Sequence, residues 1–241
     1  MTRTGDEDVI WNGAVTDRIA MRKRLHNPIF ALLASVVLAC SMGRLSRAES
    51  PPKTEYQVKA AFLFNFMKFT DGGRFGPAEG QDQTGVDPNK PVVIGILGKV
   101  PSKEGFEGLP GKEVKGRRVV VRQFKGFDEL KDSEGKAPPQ HPDLDEIRNC
   151  HVLFLCPSEK PFLSRILPHL RNDPILIVGD VPGFLQAGGT INFVIEEKKI
   201  RFEVNLAAAA RAKLQMRSSL LRLAVQIIEH DGLEEPNDKR N

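Results

Sequence analysis

The chain has 241 residues, a net charge of +4, 40% hydrophobic residues and three cysteines. That is enough chain to bury a core without disulfide staples. Residues 1–48 carry seven basic residues against four acidic ones, which leaves about +1 on the rest and no basic stripe with interleaved aromatics, so a nucleic-acid partner is excluded.

Arg22-Lys23-Arg24 followed by the apolar run Ile29–Ala39 has the form of an export signal, too short to span a bilayer comfortably. Met21 stands where such a signal would begin. The leader is read as residues 1–48, with the signal peptide at about 21–48 and Met21 as the start. Ser46-Arg47-Ala48 would release a soluble protein. Val37-Leu38-Ala39-Cys40 is a loose lipobox that would instead leave Cys40 lipidated, and the two readings stand side by side.

Residues 53–230 read as one domain and 231–241 as a polar tail. Apolar positions at Val58, Phe62, Phe66 and Phe69 predict a helix over 55–69, with Lys59 and Asn65 as polar residues that could line a groove for a partner. Residues 71–91 are polar and read as a loop. Pro91–Gly98, Arg117–Phe124, Cys150–Cys156 and Pro174–Gly179 are strands, the first apolar throughout as in a parallel sheet buried on both faces. Short helical stretches at 102–109, 144–148 and 161–170 connect them. The fold class is therefore α/β, a mostly parallel sheet flanked by helices.

Asp180 to Gly189 reads as a short capped helix, with Gly188 as its left-handed stop. In an open α/β sheet ligands bind outside the carboxyl ends of the strands, which makes Gly179, Asp180 and Gly188 a candidate crevice. Ile191, Phe193 and Ile195, then Ile200, Phe202 and Val204, alternate with polar residues and predict a C-terminal β-hairpin. Asn205 then caps a predicted long C-terminal helix through Ile228, roughly 35 Å at ~1.5 Å per residue, with Arg211 on its polar side as a further partner-binding candidate.

The five histidines are scattered with no metal-ligand spacing, and no nucleophile elbow or phosphate loop is present, so the expectation is a non-enzyme with no metal and no cofactor. Cys150 and Cys156 would lie roughly 20 Å apart on a continuous strand, beyond the ~7 Å between Cα atoms that a disulfide spans. A bridge requires the strand to end early, and both bridged and free thiols remain open.

Tyr56–Thr70 (YQVKAAFLFNFMKFT), Gly188-Gly189 before the hairpin, Phe202-Glu203-Val204-Asn205 and Ser218–Ala224 (SSLLRLA), in this order, resemble the YfiR-like family of bacterial periplasmic proteins. Many relatives follow the first helix with Trp-Pro, where this chain has Asp71-Gly72-Gly73. The resemblance implies a non-enzymatic periplasmic regulator. Its partner would be the periplasmic part of an inner-membrane sensor protein, a diguanylate cyclase or kinase, whose output it restrains in cyclic-di-GMP signalling; a homodimer is a further expectation. It also favours a Cys150–Cys156 disulfide, since some relatives have disulfides in this region. The rival reading is a periplasmic small-ligand binding module.

Overall fold

The structure, a computed structural model, describes residues 54–78 and 87–229. The leader, Met21, Cys40 and the 231–241 tail lie outside the described residues. Helix α1 (Glu55–Lys68) opens the domain behind a capping box, in which Thr54 Oγ1 accepts from Gln57 N–H and Gln57 Oε1 accepts from Thr54 N–H. Its buried face is Tyr56, Lys59, Ala60, Leu63, Phe66 and Met67. That face is rotated from the one predicted by Val58, Phe62, Phe66 and Phe69. Aromatic residues ring much of this helix, so their spacing alone did not select the inner side.

The central sheet has eight strands. They are β2 (Val92–Leu97), β3 (Glu113–Val114), β4 (Arg117–Phe124), β5 (Val152–Leu155), β6 (Leu176–Gly179), β7 (Ile191–Glu196), β8 (Lys199–Asn205) and β10 (Gln226–Ile228). Their order is β10-β8-β7-β6-β5-β2-β4-β3, parallel except for β7 with β8 and β3 with β4. Alternate residues of the inner strands feed two cores. Ile94, Ile96, Phe154 and Val178 face the side that carries α1, while Leu97, Leu153, Leu155 and Ile177 face α2 (Leu144–Arg148) and α3 (Leu163–Leu170). The mixed α/β class, with a mostly parallel sheet between helices, is as expected.

Three expectations are corrected. The 102–109 crossover holds only one 3₁₀ turn, Lys103–Gly105, and the chain reaches β4 through the β3 hairpin. The 71–91 stretch is not all loop, because β1 (Thr70–Gly72) and the 3₁₀ turn Gly73–Phe75 begin it and Phe75 is buried. Residues 181–188 are turns rather than a helix, although Gly188 does take a positive φ of 100°.

The β7–β8 hairpin forms with Ile191 opposite Val204 and Phe193 opposite Phe202, all four buried. Its two-residue turn, Glu197-Lys198, has φ 49° and 62°, the twist that two-residue hairpins favour. It is not the end of the sheet, since β10 adds in parallel to β8. The long C-terminal helix is absent. Helix α4 (Leu206–Arg211) stops after six residues, and Lys213 takes φ 56°. Strand β9 (Leu214–Met216) then pairs antiparallel with β1, followed by α5 (Ser218–Leu221) and β10. The Ala- and Leu-rich composition favours helix, but pairing with β1 buries Leu214 and gives its backbone partners, and that tertiary term overrides propensity.

Candidate functional site

Lys59 comes from the first turns of α1 and Asp180 from the residue after β6, and the fold places them together. Lys59 is 1% exposed. Its ammonium pairs with Asp180 Oδ2 and with Glu55 one turn back. It also stands 4.6 Å from the Tyr56 ring centre and 5.9 Å from that of Phe193. Tyr56 OH donates to the same Asp180 oxygen at 3.2 Å. Burial first, then the charge and hydrogen bond of Asp180, hold the Tyr56 hydroxyl protonated well above its ordinary range.

This geometry corrects two sequence expectations. Lys59 is not a groove residue but the buried cation of an internal cluster. The crevice proposed at Gly179, Asp180 and Gly188 is occupied by the chain itself: Asp180 is engaged as above, and the Phe184 ring lies so close to Gly179 that a Cβ there would come within 2.5 Å of it. Of the other partner candidates, Asn65 is exposed on α1 and Arg211 is half-buried at the end of α4.

Strand order reverses direction at β2, so the crevice between β2 and β5 is the position where open α/β sheets take ligands. Here it is closed by Glu159, which is fully buried. Glu159 Oε1 accepts from Ser158 Oγ at 2.8 Å and Oε2 from Phe127 N–H at 3.0 Å. Ser158 Oγ in turn accepts from Lys99 N–H at 3.0 Å. A Cβ on Gly98 would lie 2.5 Å from Glu159 Oε1, so glycine there makes room for the carboxylate. A buried side chain of the protein thus fills the crevice. Nothing in the sequence singled out Glu159, because its partners come from three separate loops.

Both cysteines are free and buried, and β5 separates them into the two cores, Cys150 on the α2 and α3 side and Cys156 on the α1 side. Of the two states left open for this pair, the structure has the free thiols. Burial pushes Cys150 up to about 11, with Arg122 and Arg74 pulling the other way, and pushes Cys156 up to about 12 with help from the Glu159 and Asp180 charges. Thiols held that high are poor nucleophiles.

A second ionic cluster also escaped the sequence. Asp71 of β1, 3% exposed, receives Arg217 Nε at 2.9 Å and pairs with Lys115 from the β3–β4 turn, whose Nζ also donates to Thr70 O at 2.7 Å. It ties the β1–β9 ribbon to the sheet edge. Among the described residues no group of His, Cys, Asp and Glu is placed to hold a metal ion, and no helix is long and apolar enough to cross a membrane.

No curated protein matches the sequence significantly. Among solved structures, a conserved domain protein from Vibrio cholerae O1 biovar eltor is 8% identical, with a TM-score of 0.48 over 72% of this chain and 60% of that one. The ABC domain in complex with L-Trp from Streptococcus pneumoniae is 11% identical, with a TM-score of 0.40 over 56% of this chain and 55% of that one. The chain therefore spans less than two thirds of either. A family model described as YfiR/HmsC-like matches residues 56–225, from the second residue of α1 to the threshold of β10. That family is one of periplasmic regulatory domains known in the control of diguanylate cyclases. With the match running through nearly all of the described fold, the chain belongs to the YfiR/HmsC-like family.

Proposed function

We propose that this protein is a periplasmic, non-enzymatic regulator that binds the periplasmic sensor part of an inner-membrane signalling protein, a diguanylate cyclase or kinase, and restrains its output by occupying it. The observation that carries the proposal is the family match over residues 56–225. Two features of the site support binding over chemistry. The switch-point crevice is filled by Glu159, and the buried ionic groups near it are already paired with one another. Export by the 21–48 leader brings the domain to its partner, free after cleavage at Ala48 or tethered through Cys40.

Partner contact on α1 uses its outward side, where Asn65 is exposed, and Arg211 on α4 is the second position to probe. A photo-crosslinking residue at Asn65, activated in cells, is expected to capture an inner-membrane protein with a periplasmic sensor part. Deletion of the gene is expected to raise cyclic di-GMP, and a wild-type copy to lower it again. Unchanged cyclic di-GMP with no membrane protein captured would sink the proposal.

A further inference from the structure

Three basic side chains meet at the amino ends of β2, β4 and β5, the end of the sheet away from Glu159. Arg117 opens β4 and is only 4% exposed. Arg74 is half-buried in the turn after β1, and His151, also buried, stands immediately before β5. Their contacts interlock. Arg117 Nη2 donates to Arg74 O at 3.2 Å, and Arg74 Nη2 donates to Arg148 O at 2.8 Å. The His151 ring meets Phe75, the neighbour of Arg74, edge-on with 5.8 Å between ring centres. Burial and then the charges of Arg117 and Arg74 hold His151 neutral at pH 7.

Carboxylates on the neighbouring elements are committed to other cations: Asp71 to Arg217 and Lys115, Asp145 and Asp173 to Arg148, and Glu146 to Arg122. Among the described residues neither Arg74 nor Arg117 joins an ion pair, and the Nε atoms of both are buried without a hydrogen-bond partner. His151 Nδ1 accepts Val93 N–H at 3.1 Å, which places the ring proton on Nε2 as a further donor. A guanidinium keeps its proton even when buried, and buried donors nearly always have an acceptor. Two uncompensated charges and three donors suit a divalent anion with more than two oxygens. We infer that the cluster binds one small oxyanion of the sulfate or phosphate type, held by Arg74 and Arg117 with His151 Nε2–H as the third donor. Arg74, the least buried member, is the way in from solvent. None of the residues probed for partner contact belongs to the cluster, so anion binding and partner capture succeed or fail independently.

The test is a titration of the ¹⁵N-labelled protein with sodium sulfate at constant ionic strength, sodium chloride making up the difference. The Nε–H signals of Arg74 and Arg117 and the Nε2–H signal of His151 are expected to shift saturably, with a Kd of about 1 mM or tighter. Sulfate also strengthens burial non-specifically, so the readout is these side-chain signals rather than Tm. Arg74→Gln, at a half-buried position, should keep the fold and weaken sulfate at least about tenfold, the worth of one hydrogen bond from a charged group. Arg117→Met should abolish the saturable response. Acetate, with one charge and two oxygens, should bind more weakly than sulfate. Acetate binding as tightly as sulfate, an unchanged Kd in Arg74→Gln, or no saturation of the wild type by several times the expected Kd would each overturn the inference.

Discussion

Lys59 and Asp180 are 121 residues apart in the chain and form one buried ion pair, closed on its third side by Tyr56. The pair joins α1 to the carboxyl end of β6. Removing one member of such a pair strands the other, which is costlier than losing the attraction alone.

Lys59→Met keeps the apolar stem but leaves Asp180, 15% exposed in its side chain, without its cation; the expected loss is about 2–4 kcal/mol. Lys59→Glu sets three acids together and is expected to prevent folding at growth temperature. Urea unfolding of Lys59→Met and of Lys59→Met with Asp180→Asn checks this. The double variant should recover part of the loss, and an additive result would mean the pair is not coupled.

Asn205 is fully buried, and both ends of its amide are used. Oδ1 accepts Ala208 N–H at 2.8 Å as the cap of α4, and Nδ2 donates to Leu185 O at 3.0 Å. An exposed cap is worth ~1 kcal/mol, but burial leaves both orphaned partners without water, so Asn205→Ala should cost about 3 kcal/mol. Asn205→Asp retains the cap acceptor but sets an acceptor oxygen against Leu185 O in a fully buried site, so it should cost at least as much as the alanine in chemical denaturation.

Gly189 has no positive φ; its constraint is the Phe184 ring, which occupies the space a Cβ would take. Gly189→Ala should therefore cost about 1–3 kcal/mol through overpacking. Introduced into a Phe184→Leu background it should cost clearly less, since the obstructing ring is gone. Equal costs in the two backgrounds would point to the backbone instead.

His151 is buried beside Arg117 and Arg74, and burial first, then those two charges, lowers it to about 4. Its Nδ1 accepts Val93 N–H at 3.1 Å, a bond that protonation would break. The folded form therefore binds the proton less well than the unfolded chain. Its stabilising effect is complete above about pH 6.5 and is lost as pH falls towards 4, with about 2 kcal/mol gone by pH 5. Asp71 acts in a lower window. Burial raises it, but the hydrogen bonds from Arg217 and Lys115 outweigh that and hold it below the usual carboxylate range, so its contribution persists above about pH 4 and disappears below. Stability measured from pH 7 to 3 should show both steps, and His151→Gln should flatten the one between 6.5 and 5.

What the sequence determined by itself was the material of the fold. The apolar runs at β2, β5 and β6 are too short for helices and are bounded by turn residues, the alternation at β7 and β8 has a period of two, and Asn205 before an alanine run is a local cap. Order of motifs alone was enough for the family, since it spans the domain. Only the tertiary structure decided the rest, because it depends on contacts between distant segments. Residues 206–228 carry helix formers throughout, yet β1 and β8 supply strand partners that divide the run into α4, β9, α5 and β10. Lys59 and Asp180 looked like members of two different surfaces until the end of β6 met the first turns of α1. Glu159 had no pattern to betray it, as a buried carboxylate is recognised only by the Ser158, Phe127 and glycine neighbours that make its burial tolerable.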